Sequence, residues 1–192
     1  MTKDFSTPRV FIIEGLDRLG KSTLIEGILD VGGFYQVIHF QKPKLLSAYQ
    51  ESAMSRADAL FKYQKRSFET LFEMVNSNGY FIFDRAHLGE FVYSPLYRNY
   101  GGDYVFDLEH IFYVDMRADV RLILLTEDLS KSTHFEDDGL SFDITKREQE
   151  QQLFLQAFDR SVIRDKRKIC VTGADGHFKP KEIILQEALK NK

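Results

Sequence analysis

Nine consecutive residues constrain this chain more than all the others: Gly15-Leu16-Asp17-Arg18-Leu19-Gly20-Lys21-Ser22-Thr23 match the pattern G-x-x-x-x-G-K-[ST] without exception. The apolar run Val10-Phe11-Ile12-Ile13 before them reads as a buried strand, and the stretch from Ser22 to Val31 reads as a helix. Strand, glycine loop and helix in that order make an anion cradle. Glycines let the backbone curl so that its N–H groups point inward. The helix start adds its unpaired N–H groups and the positive end of its dipole. In such a loop Lys21 bridges the β and γ phosphates of a nucleotide, and the Ser22 hydroxyl meets Mg²⁺. The candidate phosphate-binding residues are therefore Gly15, Asp17, Leu19, Gly20, Lys21, Ser22 and Thr23, with ATP and Mg²⁺ as the implied ligands. A glycine-rich turn that binds nothing would need neither the strand before it nor the helix after it.

Short apolar runs alternate with longer amphipathic ones along the rest of the chain. Strands are expected over 10–13, 35–40, 80–83, 121–126 and 169–172. Helices are expected over 21–29, 56–75, 87–97, 104–116, 146–164 and 181–190, the last starting after Pro180. Strands that are apolar throughout and alternate with helices predict a parallel sheet covered on both faces. The expected fold is a three-layer α/β sandwich around a five-stranded parallel sheet, in one domain spanning 1–192. Ligands of such sheets bind beyond the carboxyl ends of the strands, where the phosphate loop lies. Gly32-Gly33 and Asn78-Gly79 stop helices, and Gly101-Gly102 reads as a flexible break in a Tyr-rich segment. The polar, aperiodic stretch 127–143 suits either a lid that closes over substrate or an ordinary surface connection. The run Arg164-Asp165-Lys166-Arg167-Lys168 reads as a solvated helix end, its cations near the negative end of the dipole.

Composition narrows the ligand class. Hydrophobic residues make up 43% of 192, enough to bury a sizeable core, and the net charge of −3 disfavours extended contact with a nucleic-acid backbone. A small nucleotide needs only a local cluster of cations. The single cysteine, Cys170, excludes a disulfide within the chain and sits in the apolar run Ile169-Cys170-Val171, where it reads as a small buried hydrophobe. No apolar stretch approaches the ~20 residues of a membrane span, and residues 1–9 are polar, so a cytoplasmic protein without membrane contact is expected.

A second motif, Phe83-Asp84-Arg85, ends the third expected strand. Its carboxylate would face the phosphate loop from the same sheet edge, able to hold Mg²⁺ or accept a proton. Arg85 is able to fork onto a phosphate with two parallel hydrogen bonds. A lone Asp-Arg would more simply be a surface ion pair; the place after the third strand favours function. With this motif the chain resembles the thymidylate kinases, among P-loop nucleoside monophosphate kinases. The resemblance runs through Phe11-Ile12-Ile13-Glu14-Gly15-Leu16-Asp17-Arg18-Leu19-Gly20-Lys21-Ser22-Thr23, then Leu60-Phe61, then Phe83-Asp84-Arg85, in the same order over about the first half of the chain.

The resemblance implies transfer of the γ-phosphoryl group of ATP to dTMP, Ser22 and Asp84 at Mg²⁺, and Phe61 stacked on the acceptor base. It also implies Asp17 at the sugar 3′-hydroxyl and homodimerisation. One class of these enzymes carries an arginine inside the phosphate loop and none in the lid. Arg18 lies in the loop and 127–143 contains no arginine, so Arg18 is the expected transition-state cation, with Lys21, Asp84 and Arg85 as its catalytic partners. Two positions depart from the family. Lys42 or Lys44 stands where an arginine near the acceptor phosphate is common. Tyr63-Gln64-Lys65-Arg66 replaces an Asn-Arg, leaving Lys65 or Arg66 as acceptor contacts or as a solvated face. The loop Thr172-Gly173-Ala174-Asp175-Gly176 sits where this superfamily commonly borders adenine, though it is also simply a turn. Alternative readings are a deoxynucleoside kinase, a kinase acting on a hydroxymethylated base in DNA, and a nucleotide-binding switch.

Overall fold

The computed structural model describes residues 7–40, 55–114, 119–131 and 144–190. Five strands, β1 (Val10–Gly15), β2 (Gln36–His39), β3 (Phe81–Asp84), β4 (Val120–Thr126) and β5 (Asp165–Cys170), form one sheet in the order β2-β3-β1-β4-β5. Every neighbouring pair is parallel. The connecting helices are α1 (Lys21–Val31), α2 (Arg56–Asn76), α3 (His87–Tyr97), α4 (Tyr104–Val114), α5 (Ile144–Arg160) and α6 (Lys181–Leu189). Right-handed crossovers send α1 to one face, since β1→β2 runs one way along the sheet, and α2 through α5 to the other. The packing agrees: α1 lies against α6, α2 against α4, and α3 against α5.

Central β1 and β4 are buried at every residue and are almost continuously apolar, as a sheet covered on both faces requires. The edges differ. β2 is half exposed, and β5 begins at Asp165, four residues before the apolar run that the sequence marks. The charged run is therefore strand, not helix end, because α5 has already stopped at Arg160. An edge strand tolerates charge and is protected by it. Lys166 still serves the helix end: its Nζ donates to the carbonyls of Phe158 (2.7 Å) and Ser161 (3.0 Å) at the close of α5.

Two smaller expectations also change. Cys170, at the end of edge strand β5, is only half-buried, its Sγ 3.3 Å from Thr172 Oγ1. Gly102 is no flexible break: a Cβ there would stand 2.5 Å from Phe91 Cα and 2.8 Å from the Glu90 carbonyl, so the absence of a side chain lets the chain press against α3. Among the described residues no helix is long and apolar enough to cross a membrane.

Candidate active site

The phosphate loop leaves the carboxyl end of β1, where the crossovers diverge toward opposite edges of the sheet. Gly15 has φ +135°, and a Cβ on it would lie 2.5 Å from the Leu125 carbonyl oxygen, so the turn needs glycine for both angle and space. Leu16 and Leu19 are buried and pin the loop, leaving Asp17 and Arg18 exposed between them. Gly20, at φ +79°, starts α1. No side chain among the described residues caps that helix and its first turn holds no acid, so its N–H groups and dipole face the loop. Ser22 and Thr23 are exposed on that first turn.

Lys21 is buried and reaches back over the loop, donating to the carbonyls of Gly15 (3.0 Å) and Leu16 (2.5 Å). Burial, with the Arg85 charge second, pulls its ammonium down to about 8. Arg18 and Arg85 both hold left-handed backbone, with φ +67° and +65°. Such angles are costly for a side chain with a Cβ and concentrate where function over-determines the backbone.

Arg85 follows β3, beside the loop, because Ile13 pairs with Asp84 in the sheet and the Arg85 N–H donates to the Ile13 carbonyl at 2.9 Å. Its guanidinium donates through Nη2 to Asp17 Oδ1, tying the loop to the end of β3. Asp84 Oδ2 lies 2.9 Å from His39 Nδ1 at the end of β2. Its Oδ1 is buried without a partner among the described residues, which suits a hard oxygen ligand for a cation. Among those residues no cluster of three His, Cys, Asp or Glu side chains could hold a metal; the Asp84 carboxylate and the Ser22 hydroxyl are hard oxygen donors of the kind Mg²⁺ takes.

Glu14 carries a role that its place in the motif does not reveal. Its carboxylate is fully buried, and Oε1 accepts the N–H groups of Ala86 (3.0 Å), Leu88 (2.9 Å) and Gly89 (3.3 Å). It thereby caps the start of α3 from the strand that feeds the phosphate loop. Burial pushes its pKa up, against the pull of His87 and those N–H groups. Behind it, His87 Nε2 lies 2.9 Å from Glu109 Oε1, both side chains fully buried.

The remaining candidates divide. Phe61 is half-buried on α2, its ring edge-on to Tyr100 and Tyr104 at 5.8 Å and 5.0 Å between centroids. Lys65 is exposed, and Arg66 points outward, 82% exposed and 3.4 Å from Glu69 on its own helix. Gln64 is the residue of that quartet turned inward. Lys42, Lys44 and most of the 127–143 stretch lie outside the described residues. The 172–176 loop packs against the start of that stretch, where Thr172 Oγ1 accepts the Asp128 N–H at 2.8 Å.

Two further groups escape sequence reasoning. Arg147, on α5, is buried; Nε donates to Glu127 and Nη2 to the Asp17 carbonyl of the phosphate loop at 3.2 Å. The sequence shows only an arginine in the first turn of a helix beyond 127–143, with no local signal of its target. Glu90, on α3, is buried and bound by Gln64, Arg98, Tyr100 and Tyr104.

The sequence matches no family model and no curated protein. Solved structures match its fold. The YorR protein of Bacillus subtilis, crystallised with phosphorylated GDP, is 15% identical with a TM-score of 0.57, covering 84% of this chain and 85% of its own. Thymidylate kinase from Candida albicans is 18% identical with a TM-score of 0.54, over 93% and 88% of the two chains. Polyphosphate kinase 2 from Arthrobacter aurescens TC1 is 14% identical with a TM-score of 0.56, over 96% and 68%. At such identities the likeness is one of fold: a five-stranded parallel sheet with helices on both faces, of the P-loop kinase type.

Proposed function

We propose that this chain is a nucleoside monophosphate kinase that moves the γ-phosphoryl group of ATP onto dTMP, giving dTDP and ADP. The observation that carries this reading is the Arg85–Asp17 pair facing the same loop that Lys21 spans. One side of the cleft is made to hold the phosphates of a donor, and the other presents a cation suited to the phosphate of an acceptor.

In this reading an acceptor phosphate oxygen attacks the γ-phosphorus, the bond to the β–γ bridging oxygen breaks, and ADP leaves. The attacking oxygen is already ionised near neutral pH, so the step requires no general base. A nucleoside acceptor would require one, and Glu14, the carboxylate at the end of β1, is buried and bound to the first N–H groups of α3. With Asp84 assigned to Mg²⁺, that favours a monophosphate over a free nucleoside. Arg85 would exchange Asp17 for the acceptor phosphate, freeing the Asp17 carboxylate for the sugar 3′-hydroxyl. Lys42 would add a point charge on the acceptor side, and Phe61 would stack on the base. Arg18, Lys21 and the loop N–H groups would stabilise the charge that spreads over the transferring group. Ser22 and Asp84 would hold Mg²⁺, which when bound neutralises the β and γ oxygens.

ADP release by the purified protein with Mg·ATP, across nucleoside monophosphates, free nucleosides and DNA containing hydroxymethylated bases, tests the reading. Turnover with dTMP and little with thymidine is expected. Turnover with thymidine alone would make it a deoxynucleoside kinase, and transfer only to the DNA would make it a modified-base kinase. ATP binding with no transfer to any acceptor would overturn the enzymatic reading.

A further inference from the structure

We propose that Glu90 is a positioning residue that holds the Gln64 amide in one flip state, so that the acceptor cleft selects bases bearing a ring N–H (thymine, uracil, guanine) over bases presenting a ring lone pair at that place (cytosine, adenine). The inference rests on the reading of this cleft as a nucleotide acceptor site.

Glu90 is 2% exposed and collects four side-chain donors. Gln64 Nε2 (3.0 Å) and Arg98 donate to Oε2, while Tyr100 (2.7 Å) and Tyr104 (3.0 Å) donate to Oε1. These donors come from α2, from the end of α3, from the connection after it, and from the start of α4. Both tyrosine hydroxyls are pushed up by burial and by the Glu90 charge, so they remain donors. Gly102 makes the convergence possible, because a side chain there would strike α3 at Phe91 and Glu90.

A carboxylate accepts hydrogen bonds and donates none. The Gln64 NH₂ must therefore face Glu90, and Oε1 must face away. Reversing the amide would press Oε1 against a carboxylate oxygen in a buried place, opposing two acceptors. Phe61 stands three residues before Gln64 on α2, so the two are neighbours on the helix surface. A half-buried ring beside an amide of fixed polarity is the equipment for a flat heteroaromatic ligand: the ring offers a stacking face, the amide one hydrogen-bonding edge. The cluster lies near Arg85 in the chain, since α3 starts two residues after it and carries Glu90 in its first turn.

A fixed Oε1 attracts the N3–H of thymine or uracil and repels the N3 lone pair of cytosine. Guanine and adenine differ in the same way at N1. A free amide would turn over and read either kind; the Glu90 carboxylate removes that choice.

Deoxyuridylate and deoxycytidylate differ only at positions 3 and 4 of the base, which makes them the probes. Their affinities for the wild-type protein are measured by calorimetry, independently of phosphoryl transfer, and then for Glu90→Gln, whose amide presents an oxygen or an NH₂ to Gln64 alike. Wild type is expected to favour dUMP by about tenfold or more, the scale of opposing two buried acceptors. Glu90→Gln should lose most of that ratio with ATP affinity unchanged. Equal affinities in the wild type would overturn the inference, as would a ratio that survives in a folded Glu90→Gln. Should that variant not fold, equal wild-type affinities for GMP and AMP would overturn it. A preserved ratio without transfer would sink the kinase reading alone, whereas transfer with no ratio would sink this inference alone.

Discussion

On the proposed donor side of the cleft, one unbroken run from Gly15 to Thr23 supplies the whole cradle locally, through loop N–H groups and the side chains next to them. On the proposed acceptor side, Glu90 gathers Gln64, Arg98, Tyr100 and Tyr104 from separate segments through side chains alone. The first site is an arrangement of N–H groups whose geometry follows from glycine angles and a helix start. The second is a hydrogen-bond network that exists only after α2, α3 and α4 have docked. Glu14 joins the two, ending the strand that feeds the loop while its carboxylate caps the helix that carries Glu90. A site made of local backbone is rigid and generic, able to take any triphosphate. A site made of convergent side chains is where, on the proposed reading, the choice of acceptor is made.

The largest expected effect lies on the donor side. Arg18→Ala should lower turnover by about 10³-fold or more, the scale of arginines that meet a transferring phosphoryl group, with ATP affinity nearly unchanged. Parallel loss of both, seen by steady-state kinetics beside calorimetry, would make Arg18 a binding residue and would blur the division between sites.

Next come two glycines, one for each side. Gly15→Ala meets both a 2.5 Å clash with the Leu125 carbonyl and a φ of +135°, and should cost about 3 kcal/mol of stability. Gly102→Ala meets the clash alone and should cost about 1–2 kcal/mol, as overpacking does. Urea unfolding of both variants ranks them. The reverse order would mean that the acceptor network is the stiffer of the two.

A smaller effect separates charge from shape at Glu14. Its raised pKa means that the native protein holds this proton to higher pH than the unfolded chain does. The linked stability is therefore full below the unfolded value of 4.5 and falls as pH rises above it. Glu14→Gln cannot titrate, so its stability relative to wild type should improve as the pH rises above 4.5, measured by urea midpoints. A gap that moves the other way would show that the three N–H groups outweigh burial.

The finest effect is a proton. Lys21 titrates near 8 in the free protein, and a bound triphosphate restores its charge. Binding of ATP at about pH 9 should then take up a fraction of a proton, and at about pH 6.5 none through this group. Calorimetry in buffers of different ionisation enthalpy reads this directly. Uptake that persists in Lys21→Met would assign the proton elsewhere.

Legibility in the sequence followed the same division. The phosphate loop, the parallel sheet and the extents of most helices could be read because each depends on neighbours in the chain: apolar runs, glycine angles, a helix start. β5 was misplaced because its edge position permits Lys166, Arg167 and Lys168 in a strand, and edge position is a property of the whole sheet. The stretch Tyr63-Gln64-Lys65-Arg66 drew attention to its cations, whereas the docking of α2 turned Gln64 inward and left Lys65 and Arg66 outside. Arg147 and Glu90 carried no local mark, since their partners are distant in sequence.

By itself, then, the sequence determined a strand–loop–helix cradle for phosphate on a parallel sheet, because backbone conformation is set within a few residues. Only the tertiary structure decided that Glu14 caps α3, that Arg85 reaches Asp17, and that Glu90 orders the amide of Gln64. Those contacts join residues 26 to 75 apart in the chain, and a buried carboxylate takes whichever donors the fold brings to it.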